Sequence, residues 1–333
     1  MHSRKPWRLA GAVAAALFLV TACGSSGSEP ASGGASETRV FEADNGKVTI
    51  PAEPRRVVAT GYAVPVLIEA EAKLVGISSW KRGLPLMSDE DRKTYDGLTK
   101  IAGETAAETN YEAIAKTDPD LIVIGVPKPV LGDLDMKRLA SIAPVVAIGP
   151  TVPDAWRELS FRQADAAGRS GAVEQAKAAY EKRAGELKAK YKDALAGMKF
   201  GHVGAYGEIS SGEFHREFGG SWGTNIAQDI GVTYYGQVKK KGGGSADVSE
   251  YSSLEELPQS LGEADAITYT LEHDGEPGDA VKYVLDSELW QKLPAVKDEK
   301  AFGLRFTEAA TYESATRTLD EIDKALAPLL EDR

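Results

Sequence analysis

The chain has little cysteine and histidine, and it has fewer basic than acidic residues. Cys23 is the only cysteine among 333 residues, so a disulfide framework cannot stabilise the fold. His202, His215 and His273 are widely spaced and form no cluster that would bind a metal ion directly. The 39 basic residues are outnumbered by 50 acidic ones, whereas nucleic-acid binding needs a basic surface. These shortages argue against a disulfide scaffold, a metal-ion receptor and a nucleic-acid partner.

The apolar stretch near the N-terminus is short. Residues 9–20 are apolar and follow Arg4, Lys5 and Arg8, but they are too few to span a bilayer as a stable helix. A charged start, a short apolar stretch and small residues before a cleavage point are typical of a secretory leader. Because the letters VTAC occupy positions 20–23, Cys23 directly follows small residues, and the segment resembles a bacterial lipobox.

The lipobox resemblance implies that residues 1–22 are a lipoprotein signal peptide and that Cys23 carries the lipid. The alternative is an ordinary secretory signal with an incidental cysteine, which would leave an unpaired thiol in a secreted protein. Residues 23–37 are rich in Gly, Ser and Ala and predict a flexible tether that reaches about 20 Å. Without the three basic residues of the leader, 36 basic residues face 50 acidic ones, a net charge of −14. We therefore expect an acidic protein on the outer face of the cell membrane, held there by its lipid alone.

The remaining residues alternate between short apolar runs and amphipathic stretches. The runs VVAT, LVGIS, LIVIG and PVVAIG predict strands, and the segments between them predict helices. This alternation indicates an α/β fold with mostly parallel sheets. Two successive helical patterns in mid-chain interrupt it, so we predict two lobes joined by a long bridging helix. The predicted boundaries are an N-terminal lobe at 38–152, the bridge at 153–170 and a C-terminal lobe at 171–333.

Four segments resemble one family. They are residues 46–58 (GKVTIPAEPRRVV), 101–125 (IAGETAAETNYEAIAKTDPDLIVIG), 219–232 (GGSWGTNIAQDIGV) and 287–306 (SELWQKLPAVKDEKAFGLRF). In this order they resemble substrate-binding lipoproteins of ABC importers for iron-siderophores and vitamin B12. The resemblance implies a ligand in the cleft between two helix-bridged lobes, and we expect only a small closure when the ligand binds. It also implies a monomer that uses no cofactor of its own.

Aromatic and arginine side chains follow the predicted strands, where ligands of α/β proteins bind. Aromatic rings suit the apolar backbone of a siderophore, and an arginine fork suits its iron-bound oxygens. Core packing is the alternative for each aromatic residue, and a surface ion pair is the alternative for each arginine. The predicted ligand-binding residues are Tyr62, Trp80, Arg82, Tyr206, Phe214, Trp222, Arg305 and Tyr312.

The charge of the protein predicts the class of siderophore that it binds. Catecholate complexes of iron are strongly anionic, whereas hydroxamate complexes are neutral or, with a free amine, cationic. An acidic receptor with about two cleft arginines therefore favours a ferric hydroxamate of the ferrioxamine type. Cobalamin, haem or a catecholate siderophore remain alternatives.

Two glutamates are predicted to dock the protein on its membrane permease. In the family one glutamate on each lobe meets arginine pockets of the permease. The motif matches imply Glu112 in the first lobe and Glu255 in the second, although Glu250 and Glu256 lie close to Glu255 in sequence. A solvated helix face is the alternative for both.

A hydrolase is the remaining alternative, because residues 219–223 (GGSWG) match the nucleophile-elbow pattern with Ser221 at its centre and His273 downstream. The elbow must follow a buried strand. Residues 213–218 (EFHREF) are charged, and we expect them not to form one. We therefore predict a binding protein and not an enzyme.

Overall fold

A computed structural model describes residues 37–331. The predicted signal peptide, Cys23 and nearly all of the predicted tether lie outside the described residues. Within the described range no helix has both the length and the apolar character needed to cross a membrane.

The first half of the described chain forms a hairpin and a parallel sheet. Strands β1 (Thr38–Ala43) and β2 (Gly46–Pro51) pair antiparallel. The sheet has the order β5-β4-β3-β6-β7, and all its pairings are parallel. Its strands are β3 (Val57–Gly61), β4 (Leu74–Ser78), β5 (Lys100–Ala102), β6 (Leu121–Gly125) and β7 (Val145–Ala147). Its helices are α1 (Ala63–Glu69), α2 (Asp89–Gly97), α3 (Tyr111–Lys116) and α4 (Met136–Ala140).

The central strands of this sheet show why the segment folds in this way. Every residue of β6 is buried, as are the first four residues of β3. Runs of Val and Ile buried on both faces are typical of parallel strands that are covered by helices on each side. The ends of β3 and β4 therefore bring Tyr62 and Trp80 to the same edge of the sheet.

The second half of the described chain forms a mixed sheet of order β10-β9-β8-β11-β12. Pairings of β11 with β8 and β12 are parallel, whereas those of β9 with β8 and β10 are antiparallel. Its strands are β8 (Phe200–Val203), β9 (Glu213–Glu217), β10 (Ser249–Ser253), β11 (Ala266–Thr270) and β12 (Ala301–Leu304). Its helices are α7 (Asn225–Asp229), α8 (Leu257–Leu261), α9 (Asp279–Leu285), α10 (Glu288–Gln291), α11 (Pro294–Lys297) and α12 (Tyr312–Leu326).

The presence of strand β9 shows that one prediction from the sequence was wrong. Residues 213–218 were expected not to form a strand because of their charges, yet β9 pairs on both sides. Two of its charged residues have hydrogen-bond partners in the interior: the Arg216 guanidinium donates to the carbonyls of His202 and Tyr235, and Glu217 accepts from the Gly223 N–H. A buried charged residue needs such partners, and a local sequence pattern does not reveal them.

Two helices connect the sheets, namely α5 (Trp156–Ala166) and α6 (Ser170–Tyr191). At the start of α5, the Trp156 indole and the Arg157 guanidinium donate to Asn225 of α7, beside the second sheet. At its other end, the Gln163 amide donates to the Ile148 carbonyl just beyond β7, beside the first sheet. Helix α5 is thus hydrogen-bonded to segments beside both sheets, while α6 packs on α12. The α/β class with two sheets is confirmed, and the domain boundaries stay a prediction.

Candidate functional site

A cavity of about 370 Å³ lies where the carboxyl ends of strands from both sheets meet. The 3₁₀ turn Lys81–Leu86, which follows β4, forms its wall on the side of the first sheet. Segments that follow β8, β11 and β12 form the wall on the side of the second sheet. The complete lining is Lys81, Arg82, Pro85, Leu86, Ala205, Tyr206, Thr270, Leu271, Glu272, His273, Phe306, Thr307 and Glu308.

Three aromatic rings pack together beside this cavity. The ring centroids of Tyr62 and Trp80 are 4.9 Å apart in an edge-to-face arrangement. Tyr62 also stacks on Trp222, with centroids 5.9 Å apart and ring planes 5° from parallel. Tyr62 follows β3 and Trp222 lies between β9 and α7, so the stack joins segments from the two halves of the described chain. Aromatic pairs of this geometry contribute roughly 0.5–1.5 kcal/mol each beyond their buried area.

Arg82 lies over two of these rings. Its guanidinium carbon is 4.2 Å from the Trp80 centroid and 4.7 Å from the Tyr62 centroid. Burial raises the pKa of Tyr62, and the charge of Arg82 opposes that rise. Gly83 permits this packing, since a Cβ there would come 2.1 Å from Nε1 of Trp80. The guanidinium is therefore held at the cavity wall by ring faces, and no ion pair engages it within the described residues.

Tyr206 and Glu308 form a polar pair on the opposite wall. The Tyr206 hydroxyl donates a hydrogen bond to Oε1 of Glu308. Burial, followed by the neighbouring charge of Glu308, raises the pKa of the Tyr206 phenol, so the phenol keeps its proton. Tyr206 is 49% exposed, an unusual value for a large aromatic side chain in a strand-end loop.

The cavity lining is balanced in charge. Lys81 and Arg82 contribute two positive charges, and Glu272 and Glu308 contribute two negative ones. The positive groups lie on the wall of the first sheet and the negative groups on the wall of the second. A strongly anionic ligand would therefore meet as much repulsion as attraction.

Buried polar groups lie behind Tyr206. The ring of His215 packs at 5.8 Å from that of Tyr206, and its Nδ1 is 3.5 Å from Oε1 of Glu217. Burial raises the pKa of Glu217 to about 7 and lowers the pKa of His215 to about 4. At neutral pH the histidine is thus uncharged, and this layer supports the strand ends without presenting a cation to the cavity.

Ser221 is enclosed in the same layer. Its side chain is only 1% exposed and lies against the carboxyl of Glu217. A nucleophile elbow presents its serine at the surface beside a base. His273 lines the open cavity instead, on the segment after β11, and the arrangement offers no accessible nucleophile at position 221.

The structure places three predicted residues elsewhere. Phe214 is 1% exposed and packs in the core of the second sheet. Arg305 turns away from the cavity and pairs with Glu321 of α12 at 2.7 Å. Tyr312 is buried among the helices, with its ring 5.0 Å from that of Trp156. The structure brings Tyr62, Trp80, Arg82, Trp222 and Tyr206 together, and these three do not join them.

Several lining residues were not among the predicted ligand contacts, notably Thr270, Glu272, Phe306 and Glu308. All four end or follow the strands β11 and β12, where ligands of α/β proteins bind. The carboxylates of Glu272 and Glu308 do not fit the pattern of aromatic residues and arginines that gave the other predictions, whereas Phe306 fits it and was missed.

One group of carboxylates elsewhere has the spacing of a metal site. Within residues 37–331, Glu69, Asp91 and Glu313 bring ligand atoms within 4.8 Å of one another. Glu69 accepts a hydrogen bond from Thr311, and burial raises its pKa well above the ordinary value. A carboxyl that favours its protonated form is a poor metal ligand, so this group is better explained as part of the contact between α1 and α12.

The predicted docking glutamates are both exposed. Glu112 lies in the first turn of α3, and Glu255 lies in the 3₁₀ turn Leu254–Glu256 after β10. Glu256 pairs with the Lys239 ammonium, and Glu250 accepts from the Lys239 N–H. Within the described residues neither Glu112 nor Glu255 has an ion-pair partner, which distinguishes Glu255 from its two neighbours.

Comparisons with known proteins agree with this geometry. A family model described as "periplasmic binding protein" matches residues 57–207. The chain is 26% identical to the iron(3+)-hydroxamate-binding protein YxeB of Bacillus subtilis over 97% of both chains. It is 28% identical to the iron(3+)-hydroxamate-binding protein FhuD of the same organism, over 93% of this chain and 96% of that one.

A solved structure shows the same likeness. The siderophore periplasmic binding protein from the fuscachelin gene cluster of Thermobifida fusca is 28% identical, with a TM-score of 0.67 over 84% of this chain and 98% of that one. These matches confirm the resemblance to siderophore-binding proteins that the motifs indicate. The matching family and the named relatives are substrate-binding proteins of transporters, which confirms the prediction that the chain is not an enzyme.

The buried carboxyl of Glu217 yields a prediction about stability. Its folded pKa of about 7 lies above the ordinary value of 4.5, so the folded state holds the proton more tightly. The resulting stabilisation is complete below about pH 4.5 and is lost as the pH rises to about 7, at a cost of about 3 kcal/mol. Glu217→Gln, which can still accept from the Gly223 N–H, should remove this slope.

Urea unfolding between pH 4.5 and 8 measures the effect. The variant should gain stability relative to the parent protein as the pH rises. Glu213→Gln, at the partly exposed start of the same strand, is the matched control. Parallel pH profiles for the parent and Glu217→Gln would contradict the assigned shift.

Proposed function

We propose that this protein captures a ferric hydroxamate siderophore of the ferrioxamine type outside the cell and delivers it to the permease of an ABC importer. The observation that carries the proposal is the charge-balanced cavity at the ends of both sheets, with an aromatic cluster and an arginine beside it. The names of the two Bacillus subtilis relatives, both iron(3+)-hydroxamate-binding proteins, support the same ligand class.

The chemistry of the ligand fits the two kinds of group beside the cavity. A tris-hydroxamate ligand wraps ferric iron in six oxygens and leaves the centre neutral, with an apolar chain around it. Rings such as Tyr62 and Trp222 suit that chain, and the Arg82 fork suits the iron-bound oxygens. A ferric catecholate, with its strong negative charge, would meet Glu272 and Glu308 without a surplus of basic groups.

Ligand binding tests the proposal through tryptophan fluorescence. Trp80 and Trp222 belong to the aromatic cluster, so a bound ferric complex should quench their emission. We expect submicromolar affinity for the ferric complex of desferrioxamine B. Arg82→Gln, which removes the charged donor, should weaken binding by about tenfold.

The titration should include ferric catecholates, cobalamin and haem. Arg92→Gln serves as the control, because Arg92 pairs with Asp96 on the exposed face of α2. Micromolar or weaker binding of the hydroxamate together with tight binding of a catecholate, cobalamin or haem would assign the protein to that other ligand class.

The positions of Glu112 and Glu255 support delivery to a permease. Strand β10 is antiparallel to β9, which is antiparallel to β8, so β10 ends at the same edge of its sheet as β8. Glu255 follows β10, and Glu112 begins the helix after β5. Both unpaired carboxylates thus lie at the sheet edges that face the cavity, one for each sheet, as a permease that grips a single monomer would require.

Removal of both carboxylates should separate binding from delivery. The variant Glu112→Ala with Glu255→Ala should bind the ferric complex normally, but cells that depend on it should fail to take up the labelled iron. Single variants sharpen the test: Glu255→Ala should impair uptake and Glu256→Ala should not, because Glu256 is already paired with Lys239. Normal uptake by the double variant would contradict the docking assignment.

Lipid attachment at Cys23 would keep the receptor beside its permease. A tether of about 20 Å confines the folded part near the membrane and replaces free diffusion by a high local concentration. The proposed lipid is the sole contact with the membrane, since the acidic surface gains nothing from anionic lipids.

Loss of the thiol should release the protein. Cys23→Ser should move the protein from the membrane fraction to the medium and the detergent-poor phase, with its affinity for the ferric complex unchanged. The substitution replaces one sulfur atom with oxygen, so its effect reports lipid attachment and not folding. A Cys23→Ser protein that stays in the membrane fraction would disprove the anchor.

A further inference from the structure

Glu308 is an anionic group without a cationic partner. It follows β12, is partly buried and accepts a hydrogen bond from the Tyr206 hydroxyl. No Lys, Arg or His of residues 37–331 forms an ion pair with it. The nearest lining cations, Lys81 and Arg82, belong to the other wall, and Arg82 is held there over the rings of Tyr62 and Trp80.

The backbone fixes the position of this carboxylate. Phe306, two residues earlier, has a φ of +59°, a left-handed conformation that is rare for an aromatic residue. Thr318 of α12 donates its hydroxyl to the Phe306 carbonyl at 2.6 Å and holds the bend. The segment after β12 therefore turns into the cavity, and Glu308 meets Tyr206 from the end of β8.

An alkyl ammonium group complements this arrangement. It carries three N–H donors and a positive charge, whereas Glu308 has free acceptor positions and already receives one donor from Tyr206. The half-exposed ring of Tyr206 adds a face for the cation or for the methylene chain that carries it. Glu272 lies in the same lining and adds a second negative charge. A neutral group would leave the carboxylate unpaired in the filled cavity, which is unfavourable.

We propose that Glu308, positioned by Tyr206, binds the primary ammonium end of a linear ferric hydroxamate and makes the cavity selective for cationic over neutral complexes. This inference rests on the proposed function. It assigns the ammonium to the wall of the second sheet and leaves the iron-bound oxygens to Arg82 on the wall of the first.

Two ligands that differ only at the amine test the subsite. The ferric complex of desferrioxamine B carries the ammonium, and its N-acetylated derivative is neutral. We expect the parent protein to bind the cationic complex about tenfold more tightly, as a partly buried ammonium–carboxylate contact beside an aromatic ring would give. Glu308→Gln should abolish this preference while it binds the acetylated complex as the parent does, which also shows that the variant is folded.

Two further variants sharpen the result. Tyr206→Phe keeps the ring but removes the hydroxyl that holds Glu308, so the preference should shrink without disappearing. Glu288→Gln, on the surface of α10 and 90% exposed, should keep the full preference.

The possible results distinguish an error in the proposed ammonium subsite from an error in the proposed function. Equal affinity of the parent protein for both complexes, or a preference that survives Glu308→Gln, would overturn the ammonium subsite and leave hydroxamate binding intact. Failure of the parent protein to bind either complex would overturn the proposed function itself, and the ammonium subsite with it.

Discussion

The parallel stack of Tyr62 on Trp222 is the contact on which the site depends. Each ring follows a strand of a different sheet, so the contact exists only if the two sheets hold a set orientation. Trp80 packs on the edge of Tyr62, and Arg82 covers both rings. The same interaction that joins the sheets therefore also positions the cationic donor at the cavity wall.

Rigid connections beyond the cavity maintain that orientation. Helix α5 is hydrogen-bonded at its start to Asn225 beside the second sheet and near its end to the carbonyl of Ile148 beside the first. The Thr311 hydroxyl at the start of α12 donates to Glu69 of α1, which adds a further link between the halves of the chain. A bend between the sheets would break several buried hydrogen bonds at once, at about 1–3 kcal/mol for each group left unsatisfied. The aromatic cluster is thus largely preformed, which lowers the entropic cost of ligand binding.

The sequence predicted well what depends on local order along the chain. The bounds of β4 and β6 agree with the apolar runs LVGIS and LIVIG. Tyr62, Trp80 and Arg82 lie together, as expected of residues that follow parallel strands and share one edge of the sheet. Prediction from the sequence failed where a contact with a residue far away in the sequence determines the position of a side chain. Arg305 follows a strand like Arg82, but Glu321 from α12 captures it. Phe214 and Tyr312 were misplaced because strand phase and helix packing, which local pattern does not specify, turn their rings into the core.

The balance of charge in the cavity explains why an acidic protein can bind an iron complex selectively. Its overall negative charge gives only a weak long-range preference among hydroxamate complexes, because salt screens much of that charge. Selectivity must then arise from direct contacts between the cavity wall and the ligand. A guanidinium of the protein contacts the iron-bound oxygens, and a carboxylate of the protein contacts the far end of the ligand. Burial keeps His215 uncharged behind Tyr206 at neutral pH. This histidine therefore does not offset the negative charge of Glu308, which stays available to a cationic group of the ligand.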